Sequence, residues 1–294
     1  MNPSDTQEDV LVDPDWIAAH LDDPMVRVIE LDVSGAAYDD GHIPGAVLWN
    51  AYTDLRRRDY TPIDRAEFGN LLSRSGLTPE TTIVFYGYAQ YLGFWLMKSY
   101  GHDQVRLMDG GRDRWAGAGH PWSTEIPAPS SSLYPLLDER AEIFASREAV
   151  QTIAAGPNEV ILDVRSQAEF DGERFWPSGV SEGAGRAGHI PGAVHVPFEV
   201  LRAEDGTFKS AHELRRLYQD AGVVPERGVV TYCTIGNRAS QVWFVLKYLL
   251  GYPEVGVYYG SWAEWGTLTD TPVETRQKDN QWSASGSPSR RVHR

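Results

Sequence analysis

The sequence predicts an α/β protein built as two similar domains, each a mostly parallel sheet covered by helices on both faces. Three observations predict it. A set of landmarks occurs twice in the same order, short aliphatic runs alternate with helical stretches, and 294 residues suit two domains better than one. The phrase His42-Ile43-Pro44-Gly45-Ala46-Val47 returns as His189-Ile190-Pro191-Gly192-Ala193-Val194. Before each copy lies an apolar run ending in Asp-Val, Val28 to Val33 and Val160 to Val164. After each comes a second run ending in Tyr, Thr82 to Tyr86 and Gly228 to Tyr232. An aromatic-rich helical stretch then stops at Gly101 and at Gly251, and each half closes on a Gly-rich turn before Trp115 or Trp265. Landmarks kept in order over half a chain are the mark of a duplicated domain.

The elements follow from local pattern. Asp15 to Leu21 and Ser146 to Ala155 read as helices, the second with Ser146 as N-cap. Val26 to Leu31 and Val160 to Val164 are short aliphatic runs of the kind found in buried strands. Phe94 to Tyr100 and Ala239 to Leu250 read as buried or amphipathic helices. Ile126-Pro127-Ala128-Pro129-Ser130-Ser131-Ser132 suits an exposed linker, so the domains are expected at 1–129 and 130–275. In His-Ile-Pro-Gly-Ala, Pro and Gly suit a turn, and His42 and His189 read as satisfied loop histidines. Trp262 and Trp265 read as core aromatics.

Composition excludes several classes. With 41% hydrophobic residues and ten Trp, each half can bury a core. A net charge of −14 argues against a nucleic-acid partner. The stretch 276–294 is the exception, with five Lys/Arg against Asp279, and its Ser, Gly and Pro content suits a disordered, solvated tail. The start has neither a basic nor an apolar targeting region, and no run of 18 apolar residues occurs, so neither a signal peptide nor a membrane span is expected. A single cysteine forbids an internal disulfide and fits a reducing cytoplasm.

That cysteine carries the chemistry. Val229 to Ser240 runs strand, loop, helix, with Cys233 the first residue after the strand. Loop N–H groups and a helix N-terminus form an anion nest, and Arg238 adds a positive charge; all three stabilise negative charge on sulfur. Gly236 allows the backbone to curl. An inert core thiol fits poorly, because an apolar core would not seat Gly236, Asn237 and Arg238 beside it. Ligands of open α/β sheets bind at this end of the strands. In the first half Gly87 stands where Cys233 stands, and Tyr86 to Gly101 spans 15 residues against 19 for Tyr232 to Gly251. Lacking thiol and full loop, that half is expected to wall the site. Asp32 to His42 spans 10 residues but Asp163 to His189 spans 26, and Arg186 stands out in the added stretch. No Cys/His cluster suggests a metal, and no cofactor is expected.

Together, Asp163-Val164-Arg165, Gly188 to Ala193, the Cys233 loop and Gly260-Ser261-Trp262-Ala263-Glu264-Trp265 resemble the rhodanese family of sulfurtransferases, over the chain up to about Glu274. The resemblance implies two tandem rhodanese-like domains, the first inactive. It implies that Cys233 takes a sulfane sulfur from a small anionic donor as a persulfide and passes it to cyanide or a thiol. The loop Cys233 to Arg238 has the six-residue length associated with sulfur transfer rather than the seven of related phosphatases. Thr234, Ile235, Gly236, Asn237 and Arg238 would bind substrate, Arg186 would hold the donor anion, and Asp163 would lie near the loop. The loop looks closest to bacterial thiosulfate sulfurtransferases. A 3-mercaptopyruvate donor, a phosphatase or arsenate reductase, and a persulfide carrier serving a protein partner remain the alternatives.

Overall fold

In a computed structural model, described over residues 10–135, 137–177, 185–203 and 208–275, the chain forms two five-stranded sheets. The tail 276–294 and, within the added stretch, Ser178, Gly179, Gly183 and Ala184 lie outside the described residues. The first sheet has β1 (Leu11–Val12), β2 (Val26–Asp32), β3 (Val47–Asn50), β4 (Thr82–Tyr86) and β5 (Val105–Met108), in the order β1-β5-β4-β2-β3. The second has β6 (Phe144–Ala145), β7 (Val160–Asp163), β8 (Val194–His195), β9 (Val229–Tyr232) and β10 (Val255–Tyr258), in the order β6-β10-β9-β7-β8. Every pairing is parallel. Identical strand order in both halves is the duplication seen in three dimensions.

The helices used below are α1 (Pro14–Ala19), α2 (Gln90–Ser99), α3 (Arg147–Ala154), α4 (Gln167–Phe170), α5 (Asn237–Phe244) and α6 (Ser261–Trp265). Ser146 caps α3 as expected, its Oγ accepting from the Ala149 N–H at 3.2 Å, a contact worth about 1 kcal/mol. A π-helical turn, Val245–Leu249, extends α5. The four residues the second half has gained therefore divide unevenly: the loop grows from Gly87–Ala89 to Cys233–Gly236, and the rest lengthens the helix.

One core spans both halves. Phe94 of α2 meets Trp243 and Phe244 of α5 at ring separations of 6.2 and 5.7 Å, and Tyr91 meets Phe244 at 5.2 Å. These side chains are buried, and burying a Phe of this kind contributes roughly 2–3 kcal/mol. The far face of each sheet has its own core, around Ile17 and Trp115 in one half and around Val150, Trp262 and Trp265 in the other. Trp262 and Trp265 are thus core aromatics. His42 and His189 are buried and hydrogen-bonded to backbone: His42 bonds the carbonyls of Tyr38 and Glu125, and His189 bonds that of Phe170.

The register corrects one alignment. Glu30 pairs with Tyr86 and Asp163 with Tyr232. Asp163 is therefore the counterpart of Glu30, not of Asp32, and the Asp-Val match is offset by two residues. In each half a tyrosine hydroxyl also accepts from a backbone N–H of the His-Ile-Pro turn, that of Ile43 or Ile190. The halves differ at the amino ends of the strands. Arg106 lies 5.1 Å over Trp16 in the first, where the second has Gly256 and Ala149 and opens a groove of about 510 Å³. No helix among the described residues is long and apolar enough to cross a membrane.

Candidate active site

The site is built where β9 ends. Cys233 is 1% exposed, and its loop is held from behind. The Cys233 carbonyl accepts from Trp262 N at 3.0 Å and the Thr234 carbonyl from Ala263 N at 2.9 Å, both from the first turn of α6. The Ile235 carbonyl accepts from the Arg56 guanidinium. With three successive carbonyls turned away, the Gly236 N–H points inward and reaches Cys233 Sγ at 3.1 Å. The Cys233 N–H is itself fixed by Ser261 Oγ at 3.3 Å, and Ser261 donates onward to the Tyr258 carbonyl. Ser261 sits at φ 56°, a strained position for a residue with a side chain.

Gly236 is required twice over. Its φ is +90°, and a Cβ there would stand 2.8 Å from the Tyr259 ring. Gly87 shows why the first half is not merely a site awaiting its thiol. Its φ is +99°, and a Cβ would lie 2.7 Å from the Leu31 carbonyl oxygen. Gly87→Cys in a Cys233→Ser background is therefore expected to take up no sulfur and to lose roughly 1–3 kcal/mol of stability. Intact mass and thermal unfolding check both, and a loaded, stable protein would contradict the geometry.

The cavity over Sγ measures about 50 Å³, room for roughly three or four waters. The second half lines it with Cys233, Thr234, Ile235, Asn237 and Arg238, and with Trp176 and Pro177 of the added stretch. The first half supplies Val33, Tyr52 and Tyr88, so it does wall the site. Space of this size suits a small anion or a thiol tip, not a bulky substrate.

The structure seats Asn237 and Arg238 in buried positions beside the thiol, which the sequence argument held an apolar core would not do. For Arg238 the reason is Glu169 of α4, which no sequence motif singled out. Its carboxylate takes Arg238 at 2.8 and 2.9 Å and Thr234 Oγ1 at 2.8 Å, and Arg238 also donates to Thr234 Oγ1 at 2.6 Å. Burial works against both charges. Their mutual hydrogen bonds prevail, raising Arg238 above its ordinary value and holding the Glu169 carboxyl down at about 2. The sign follows from that depression. The unfolded chain takes up the proton first, near 4.5, so the contribution is complete above that pH and is lost as pH falls from there toward 2. Urea unfolding across acid pH is expected to show the wild type losing up to a few kcal/mol that Glu169→Gln does not lose; parallel pH curves for the two would refute it.

Asp163 lies one layer below. It is fully buried, pairs with Arg165 at 2.6 Å, and accepts from the Tyr232 hydroxyl. It supports the strand end next to the loop and does not line the cavity. Arg186 is not brought to the cavity either. Its guanidinium is taken by the Thr271 carbonyl at 2.7 Å, Thr271 Oγ1 at 2.6 Å and the Leu268 carbonyl. Its own carbonyl accepts from Trp262 Nε1 at 3.0 Å. Those contacts tie the added stretch to the segment after α6.

The chain is a duplicated parallel α/β protein with one thiol, set in a tight loop at a strand end with a backbone N–H on its sulfur. The Rhodanese-like domain family matches residues 13–118 and 146–268; the chain belongs to the rhodanese family. It is 44% identical to "Sulfur carrier protein TtuD" of Thermus thermophilus, over 90% of this chain and 96% of that one. It is 42% identical to a Haloferax volcanii protein named "Putative thiosulfate sulfurtransferase", over 93% and 99%. Among solved structures, an EanB variant in complex with ergothioneine covalently linked to a cysteine persulfide superposes with a TM-score of 0.80 at 25% identity, covering 92% of this chain and 70% of that one. The protein is a rhodanese-family sulfurtransferase or sulfur carrier.

Proposed function

We propose that the protein moves a sulfane sulfur from thiosulfate to cyanide or a thiol through a persulfide on Cys233. The observation that carries the reading is the Gly236 N–H on Cys233 Sγ at 3.1 Å in a nest whose carbonyls all face outward. The Cys233 thiolate attacks the outer sulfur of thiosulfate, the S–S bond to the sulfonate breaks with its electron pair, and sulfite leaves. Cyanide then attacks the terminal sulfur of the persulfide, giving thiocyanate and the thiolate again. Loop N–H groups stabilise the anionic sulfur at both stages. Asn237 and Arg238, which line the cavity, offer donors to the departing sulfonate.

A second reading is a persulfide carrier that hands its sulfur to a protein partner. The relative named as a sulfur carrier favours it, and so do Tyr52 and Tyr88, exposed at the mouth. Intact mass after thiosulfate, with 3-mercaptopyruvate in parallel and then a cyanide chase, tests both. One added sulfur from thiosulfate, removed by cyanide over many turnovers, supports the enzyme; loading with a single slow discharge supports the carrier. Loading from mercaptopyruvate alone would change the donor, and none from either would remove the reading.

A further inference from the structure

Three buried guanidinium groups stand around the Cys233 loop, and they differ in what answers their charge. Arg238 is held by both oxygens of Glu169, and Arg165 by both of Asp163. Arg56 comes from the other half of the chain and is 3% exposed. Its acceptors are the carbonyls of Tyr60, Ile235 and Tyr259, and its guanidinium carbon lies 4.5 Å from the centre of the Tyr259 ring. Among the described residues no carboxylate stands within ion-pair distance of it. Neutral carbonyls offset only part of the cost of burying a cation; an anion is needed for the rest. The anion on offer is sulfur: the Ile235 carbonyl that takes Arg56 immediately precedes Gly236, whose N–H reaches Sγ.

The duplication shows that this contact is built in. Arg56 bridges to Pro62, and Arg202 bridges to Phe208 in the same way in the second half. Arg202 acts in the opposite direction, on the Tyr91 phenol of the first half. Each half therefore sends an arginine across to the other, and only Arg56 meets a loop that carries a thiol. The Tyr259 hydroxyl returns the contact by donating to the Leu55 carbonyl at 3.0 Å.

We propose that Arg56, supplied by the half without a nucleophile, is the positioning residue of the sulfur site: it pins the Ile235 carbonyl behind the loop and provides the positive charge that the anionic sulfur of Cys233 answers. This rests on Cys233 being the nucleophile. The other ionisable groups facing it are the Tyr52 and Tyr88 phenols from the first half and the Arg238–Glu169 pair from the second. Asp163 and Arg165 are paired beneath Tyr232. Glu264, bound by the Tyr258 hydroxyl at 2.7 Å, acts on Arg56 only from a distance.

The test reads the thiol without any sulfur donor, so it can fail separately from the sulfurtransferase reading. Cys233 is the single cysteine, and its alkylation by iodoacetamide can be followed against pH in the full chain. In Arg56→Gln the midpoint of that profile is expected to move up by about one pH unit, close to tenfold less thiolate at a given pH below it. In Arg56→Lys, which keeps the charge, it should stay within a few tenths. A folded Arg56→Gln protein, by near-ultraviolet circular dichroism, with the wild-type midpoint would overturn the proposal. Should Arg56→Gln not fold, Arg56→Lys decides alone: a held midpoint supports the role of charge, and a shift of about one unit despite the retained cation overturns it.

Discussion

Cys233→Ser is expected to abolish sulfur uptake from thiosulfate and to cut transfer to cyanide by at least roughly three orders of magnitude. The loss follows from the proposed role of Cys233 as the sulfur acceptor. The nest, the outward carbonyls and the Arg238–Glu169 pair all survive the substitution, because none of them depends on the sulfur atom beyond one N–H contact. A hydroxyl in that nest is a much weaker nucleophile than a thiolate and cannot hold a sulfane sulfur as a stable anion. Serine is also close enough in size that the 50 Å³ cavity should persist, so stability is expected to change by less than about 1 kcal/mol. Intact mass before and after thiosulfate, beside a thermal melt, separates the two effects. A serine variant that still gains one sulfur would place the acceptor elsewhere and remove the mechanism.

The fold and the tight loop at Cys233 were legible because they depend on local pattern. Repeated turns, aliphatic runs and a glycine three residues after the cysteine act through short-range geometry. What escaped depends on contacts between distant positions. Glu169 belongs to the sequence Ser166-Gln-Ala-Glu169, and its carboxylate does accept from Ser166 N and Oγ at 3.2 and 2.8 Å. In sequence that pattern reads as a helix-capping box, and nothing in it shows that the same oxygens also take Arg238, 69 residues away. Arg56 is 179 residues from its Ile235 acceptor and looks like one of three neighbouring surface arginines. Arg186 shows the converse. Its position in an insertion suggested a ligand contact, but an arginine has five donors, and nearby carbonyls at Leu268 and Thr271 claim them first. The Asp32/Asp163 alignment slipped because both residues end apolar runs; only the pairing with Tyr86 and Tyr232 sets the register.

Glu169→Ala is expected to be the most destabilising substitution at the site that leaves the thiol in place, costing on the order of 3–5 kcal/mol. Glu169 is fully buried and carries four groups at once: both Arg238 nitrogens, the Thr234 hydroxyl and the Ser166 cap. Truncation removes the anion and leaves the Arg238 cation buried with its main acceptor gone. The damage reaches the nest, because Thr234 and Arg238 are the second and sixth residues of the loop that begins at Cys233, and Thr234 Oγ1 joins them at 2.6 Å. Glu169→Gln keeps an acceptor for Arg238 and should cost less, as expected if charge and hydrogen bonding both contribute. Arg238→Met with Glu169→Leu replaces the pair by apolar volume and should recover much of the stability, since a buried ion pair seldom outperforms good packing. That double variant should still fail in sulfur transfer, because Thr234 loses both partners and the cavity loses its Arg238 donor. Denaturant unfolding of the four proteins measures the first part and persulfide loading the second. Equal stability for Glu169→Ala and the wild type would mean that water reaches Arg238, and a double variant with wild-type loading would mean that the pair serves folding alone.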